Sequence, residues 1–177
     1  MKTTLLYIHG LGSDRNSRKF INLKEYFKDQ FDYDFVEWNN ESNIAELLNE
    51  AENKLENLEN PIIVGDSTGA NFAYQLRESR KLKGKKSILI LSSPLLNIDD
   101  RIADFEFPKT IIPQLIKIKN PSDALIIATK SDAVLDQNWL FEQTFNSIEL
   151  IEVEDNHRLE KFHKSLPEIE KYCLKKQ

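Results

Sequence analysis

The chain has 177 residues, the length of one compact domain rather than two. With 40% apolar and 10% aromatic residues it can fill a core, which excludes disordered, collagen-like and coiled architectures. Its 24 basic and 29 acidic residues give a net charge of -5 with no long run of like charges, which argues against nucleic acid or a membrane as partner.

The first apolar run, residues 4–8, is too short for the core of a signal peptide, and no segment reaches the roughly 20 apolar residues of a membrane span. The single cysteine, Cys173, has no partner for an intrachain disulfide and fits a reducing compartment, so a cytoplasmic protein is expected.

In chain order, short aliphatic and β-branched runs predict strands at residues 4–8, 34–38, 61–64, 87–91, 124–129 and 148–153. Near-continuous apolar runs of this kind suit strands buried on both faces of a parallel sheet. Amphipathic stretches predict helices between them. Residues 17–30 place Phe20, Leu23 and Phe27 on one stripe, and residues 42–58 do the same with Ile44, Leu47, Leu48, Ala51, Leu55 and Leu58. Ser42 reads as a helix start, residues 70–83 as a helix ended by Gly84, and residues 137–145 as a further helix. Between residues 81 and 86 the lysines read as a solvated helix end. Strand and helix alternate, so right-handed βαβ units with helices on both faces of one sheet are expected.

Residues 94–121 break the rhythm. At roughly 28 residues this connection is too long for an ordinary loop between strand and helix, and its apolar positions predict a small cap or crossover insertion with helical character within a single domain, residues 1–177.

Only five glycines occur, against about 12 at average usage. Four of them fall in two motifs, His9-Gly10-Leu11-Gly12 after the first strand and Gly65-Asp66-Ser67-Thr68-Gly69 after the third. The second is G-x-S-x-G between an apolar strand and a helix, a match of which this composition yields about 0.01 by chance. Such a turn pushes the serine hydroxyl above the sheet edge and sets the Thr68 N–H where it can receive an oxyanion.

A serine nucleophile needs a base. His9 reads as a brace of its own loop and His163 as part of the last amphipathic helix, whereas His157 follows the final strand directly and reaches the same carboxyl-end edge as Ser67. The orienting carboxylate is assigned to Asp132, after the fifth strand, with Asp136 as the rival and a helix start as its alternative role. The order Ser67, Asp132, His157 is that of the α/β-hydrolases.

On these residues, together with Leu6-Tyr7-Ile8-His9-Gly10, Asp132-Ala133-Val134-Leu135-Asp136 and Asn156-His157, the chain resembles the small bacterial esterases of the YqiA type. Its elbow also looks like that of small serine hydrolases of the retinoblastoma-binding type. The resemblance implies an α/β-hydrolase fold, mainly a parallel sheet of about six strands with a short cap segment, and a serine hydrolase acting on carboxylic esters. It also implies the Leu11 N–H as second oxyanion donor. Thioesters and peptides would use the same residues, and a non-catalytic binding protein on this fold is the competing class. No metal or organic cofactor is expected, because ligand clusters and G-x-G-x-x-G are missing from the sequence.

The expected partner is a small acyl substrate. Leu95, Leu96, Ile102, Phe105, Phe107, Ile111 and Ile112 predict an apolar face over the nucleophile, suited to uncharged esters with short or medium acyl chains. Asp66 beside the nucleophile departs from the resemblance, as does Arg158 after the histidine, and Asp66 is expected to discourage anionic substrates.

Overall fold

A computed structural model describes residues 2–177. Six strands, β1 (Thr3–Ile8), β2 (Phe31–Val36), β3 (Ile62–Asp66), β4 (Ile88–Ser92), β5 (Ala124–Ala128) and β6 (Ile148–Glu152), form one sheet in the order β2-β1-β3-β4-β5-β6. Every pairing is parallel, so all six strands deliver their following loops to one edge.

Strand pleating sorts the apolar residues into two cores. Leu6, Ile8, Ile63, Leu89, Leu91 and Ile126 face one side, where helices α2 (Ile44–Lys54) and α3 (Thr68–Leu82) cover them with Ala51, Leu55, Phe72 and Leu76. Leu5, Tyr7, Ile62, Val64, Ile90 and Ile127 face the other, under α1 (Arg18–Phe27) and α5 (Leu166–Lys176), which contribute Phe20, Leu23, Phe27, Ile169 and Tyr172. The four inner strands are buried on both faces, whereas β6 at the sheet edge is partly exposed along its length.

Beyond shifts of a residue or two at most element ends, three differences from the sequence reading have physical reasons. β2 starts at Phe31 and ends at Val36 because it is a half-covered edge strand. Phe31, Tyr33 and Phe35 pack inward at every second position, while Asp32 and Asp34 alternate with them. Helix α2 is capped by Asn43, whose side chain accepts from the Glu46 N–H, and Ser42 lies outside it. The helix predicted over 137–145 is only the single turn α4 (Asn138–Phe141).

Residues 94–121 are helical only as two 3₁₀ turns, Ile98–Asp100 and Ile112–Gln114. Pro94, Pro108, Pro113 and Pro121 punctuate the segment, and proline in a helix interior removes a donor and clashes with the preceding turn. The segment is nevertheless fixed. The fully buried Asn71 of α3 donates to Leu95 O at 3.1 Å and Ile116 O at 2.9 Å and accepts from Ile116 N at 3.1 Å. Leu95, Leu96, Phe107, Ile111 and Ile118 join the core. Ile102 N donates to Val134 O at 3.0 Å and Asp136 N to Asp100 O at 2.7 Å, which ties the segment to the loop after β5.

Candidate active site

The turn between β3 and α3 holds Ser67 at φ 50°, ψ −116°, a backbone conformation costing an L-residue on the order of 1–3 kcal/mol. Two glycines permit it. A Cβ on Gly65 would lie 2.5 Å from Ala70 Cα, and one on Gly69 would lie 2.3 Å from the carbonyl oxygens of Ile8 and His9, so α3 can seat against β1 and β3 only with hydrogen at both positions. Ser67 precedes α3 but makes no side-chain cap to it. Its backbone is instead tied to β4 by Ser67 N donating to Ser92 O at 2.9 Å.

The hydroxyl of Ser67 lies 2.9 Å from His157 Nε2, and His157 Nδ1 lies 2.7 Å from Asp132 Oδ2. The other carboxylate oxygen of Asp132 accepts from Val134 N at 2.8 Å and Leu135 N at 2.9 Å. The side chain of Asp132 is thus buried and fully partnered, with its acceptor face fixed toward the imidazole. A carboxylate can only accept, so Nδ1 carries the proton and Nε2 presents its lone pair to the serine O–H. The loop carrying His157 is braced by Thr129 Oγ1 donating to Asp155 O at 3.0 Å. Burial opposes the Asp155 charge, but backbone N–H groups of Lys161, Asn156 and Glu160 outweigh it and hold that carboxyl below its ordinary range.

Leu11 and Thr68 both line the cleft above Ser67, and neither backbone N–H has an acceptor among the described residues. Gly10 brings the first of these loops close: a Cβ there would be 3.2 Å from Ser67 Cβ.

Asp136, His163 and His9 stand outside this chain of bonds. Asp136 is exposed and accepts from Asn138 N at 3.1 Å, at the start of α4. His163 is exposed in a 3₁₀ turn before α5 rather than within that helix. His9 is buried and stacked between Phe35 and Trp38, with ring centroids 5.4 and 5.3 Å away. Its Nδ1 donates to Gly10 O at 2.7 Å and its Nε2 accepts from Trp38 N at 3.1 Å. Burial pushes the imidazole pKa of His9 down.

Sequence reading missed Lys19. It is buried and bonded to Asp66, which also accepts from Ser92 Oγ at 2.9 Å, so the carboxylate beside Ser67 is neutralised by an ion pair. A charged residue four positions before Leu23, on the apolar stripe of α1, was the available signal. Tyr7, buried next to this pair, is held well above the ordinary phenol range by burial first and the Asp66 charge second. The cleft measures about 700 Å³ and is lined by Arg18, Lys19, Arg101 and Arg158 against only Asp14 and Asp66 as carboxylates. Its charge is therefore cationic, which corrects the expectation that Asp66 makes the site repel anions. Of the apolar cap positions, Leu95, Phe105 and Phe107 reach the cleft, Leu96 and Ile111 are spent in the core, and Ile102 and Ile112 are exposed. Among the described residues no cluster of three or more His, Cys, Asp or Glu side chains could hold a metal ion, and no helix is long and apolar enough to cross a membrane.

The parallel sheet, the strained turn after its third strand and the loops gathered at its carboxyl edge define the α/β-hydrolase fold. Solved structures with that architecture overlay nearly the whole chain. Alpha/beta hydrolase domain-containing protein 10 from mouse matches with a TM-score of 0.72 at 13% identity, covering 98% of this chain and 90% of that one. Est1E from Butyrivibrio proteoclasticus matches with a TM-score of 0.69 at 14% identity over 98% and 88%. The ydeN gene product from B. subtilis matches with a TM-score of 0.68 at 16% identity over 98% and 100%. No curated protein matches the sequence. The chain belongs to the Uncharacterised protein family (UPF0227), whose model matches residues 4–173, in agreement with the resemblance to YqiA-type proteins.

Proposed function

We propose that this protein is a serine hydrolase of carboxylic esters, with Ser67 as nucleophile, His157 as base and Asp132 as the group that orients the base. The observation that carries the reading is the continuous chain from Ser67 Oγ through His157 to a buried Asp132, with separations of 2.9 and 2.7 Å. In the first step His157 Nε2 takes the serine proton as Oγ attacks the ester carbonyl, and the developing oxyanion is received by the free N–H groups of Leu11 and Thr68. His157 then gives its proton to the leaving alkoxide, leaving an acyl-serine. Water activated by the same imidazole releases the acid and restores Ser67.

Thr68 opens a helix of 15 residues, so the positive end of its dipole adds to the oxyanion site. Labelling the purified protein with a fluorophosphonate, with mass spectrometry to locate the adduct, tests the reading directly. Modification at Ser67 is expected. Folded protein that stays unlabelled and turns over no member of an ester, thioester and amide panel would instead place it among the binding proteins of this fold. Activity confined to the thioester or amide members would move the substrate class while keeping the three residues in their roles.

A further inference from the structure

The chain uses arginine sparingly, six residues against eighteen lysines. Arg77 and Arg80 are buried structural groups, the latter donating to Leu55 O at 2.8 Å and to Ser87 Oγ at 2.8 Å. Arg15 pairs with Glu37. The remaining three, Arg18 at the start of α1, Arg101 in residues 94–121 and Arg158 after the base, come from distant parts of the sequence and all line the Ser67 cleft. None of the three has a carboxylate within salt-bridge distance among the described residues.

Arg101 is held in place before any ligand arrives. Its guanidinium lies 4.7 Å from the Phe105 ring and 5.0 Å from the Phe107 ring, and Nη2 donates to Phe105 O at 2.7 Å. Arg18 Nη2 donates to the backbone oxygen of Arg158 at 3.3 Å, which keeps those two residues together on another part of the wall. Like charges gathered around one cleft repel unless an anion joins them, and the only nearby carboxylate buried with a cation, Asp66, is already matched by Lys19. In a chain of net charge -5 this concentration of unpaired guanidinium groups runs against the overall balance. The planar fork of arginine suits the paired oxygens of a carboxylate or phosphate.

We propose that the ester taken by this site carries an anionic group, a carboxylate or a phosphate, held by Arg101 with Arg18 and Arg158 while its carbonyl lies at Ser67. The proposal rests on the hydrolase reading for its chemistry but not for its anion site. Two esters of equal chain length, 4-nitrophenyl hydrogen adipate and 4-nitrophenyl hexanoate, give the first measurement. The ratio of their kcat/KM values, after subtraction of the uncatalysed rates, is expected to favour the adipate by about tenfold at low ionic strength and to fall toward unity in high salt. Arg101→Gln should lower that ratio by about tenfold, mainly through KM, whereas Lys85→Gln, a charge lost outside the cleft, should leave it unchanged.

The second measurement needs no turnover. Inorganic phosphate and free adipate are each tested for raising the melting temperature of wild-type protein, and for losing that effect in the Arg18→Gln, Arg101→Gln, Arg158→Gln triple variant. Whichever stabilises more names the anion. A ratio at or below one, together with no arginine-dependent stabilisation by either anion, overturns the proposal. Absent turnover and absent labelling of Ser67 alongside arginine-dependent anion binding would overturn the hydrolase reading and leave the anion site standing.

Discussion

The loops after β1 and after β6 each bring a histidine to the carboxyl edge of the sheet, and both rings have both nitrogens engaged. The difference lies in the partners. His9 is bonded to two backbone groups, Gly10 O and Trp38 N, and lies between two aromatic rings. Moving a proton onto or off its ring would break a structural bond. His157 is bonded to two side chains, one a carboxylate that fixes its tautomer and one a hydroxyl that can give up its proton. Its side chain keeps 17% of its surface exposed, enough for a substrate to reach it. Position at the sheet edge is thus shared, while the chemistry of the neighbours fastens one histidine to the scaffold and suits the other to the role of base proposed above.

The sharpest way to break this contrast is to remove the pair proposed to react. Ser67→Ala and His157→Ala should each lower kcat by on the order of 10⁶, and the double variant should be little worse than either, since such groups act as a unit. Melting temperatures should stay near wild type in both, because neither side chain supports the core. Steady-state kinetics with a chromogenic ester beside thermal melts would read this. Equal loss of turnover from His163→Ala, with His157→Ala unaffected, would reverse the assignment.

Next in size is the carboxylate behind His157. Asp132→Asn should keep the fold and lower turnover by on the order of 10³–10⁴, because an amide in place of the acceptor favours the wrong imidazole tautomer. Asp136→Asn should change kcat by less than about twofold, as its oxygen accepts only from the backbone and side chain of Asn138 at the start of α4. The two variants, compared in one assay, measure how far the register of the loop after β5 decides function.

The ion pair behind Ser67 gives a third test, on stability. Lys19→Met leaves Asp66 buried without its cation and should cost about 3–5 kcal/mol in denaturant unfolding. The double change Lys19→Met, Asp66→Asn should recover much of that loss, because no unpaired charge remains.

How much of this was legible beforehand follows from what each feature depends on. The inner strands announced themselves as apolar runs, since β1, β3, β4 and β5 are covered on both faces. The serine turn was legible because its glycines are imposed by contacts of 2.3–2.5 Å that admit no side chain. The meeting of His157 and Asp132 with Ser67 follows from one rule, that a parallel sheet gathers the ends of its strands at one edge. What failed depended on tertiary surroundings. β2 alternates because it is an edge, and an apolar-run reading moved it toward Trp38, a residue that lies past the strand and donates to His9. The cap lost its helices to four prolines in plain sight, whose effect was outvoted by apolar spacing. The cationic cleft needed three arginines from separate segments to converge, and no local pattern records that.

On the scaffold side of the contrast, His9→Ala should lower stability by about 2–4 kcal/mol. It opens a void between Phe35 and Trp38 and strips Trp38 N of its acceptor. The comparison sharpens if His9→Ala melts early while His157→Ala melts like wild type, and collapses if the two variants trade these phenotypes.

The smallest effect is the pH dependence that His9 imposes on folding. Burial holds its pKa below the ordinary value of 6.5, so the unfolded chain binds this proton more readily than the folded one. The associated stability is complete above about pH 6.5 and is lost as the pH falls from there toward the folded value, with a slope of at most about 1.4 kcal/mol per pH unit. Protonation at Nε2 would turn the acceptor of the Trp38 N–H into a donor, which names the bond that fails. Glu52, Asp99 and Asp155 have lowered carboxyl values and so act only below the ordinary carboxylate range, outside this window. Asp100, raised first by burial, runs in the opposite direction and starts from the carboxylate range. Urea midpoints for wild type and His9→Gln at pH 7.5 and at pH 5.5 would isolate the term: wild type should lose more on acidification than the variant. Equal losses would show that the buried ring titrates like a free one, and that burial and the Trp38 N–H do not hold the neutral form.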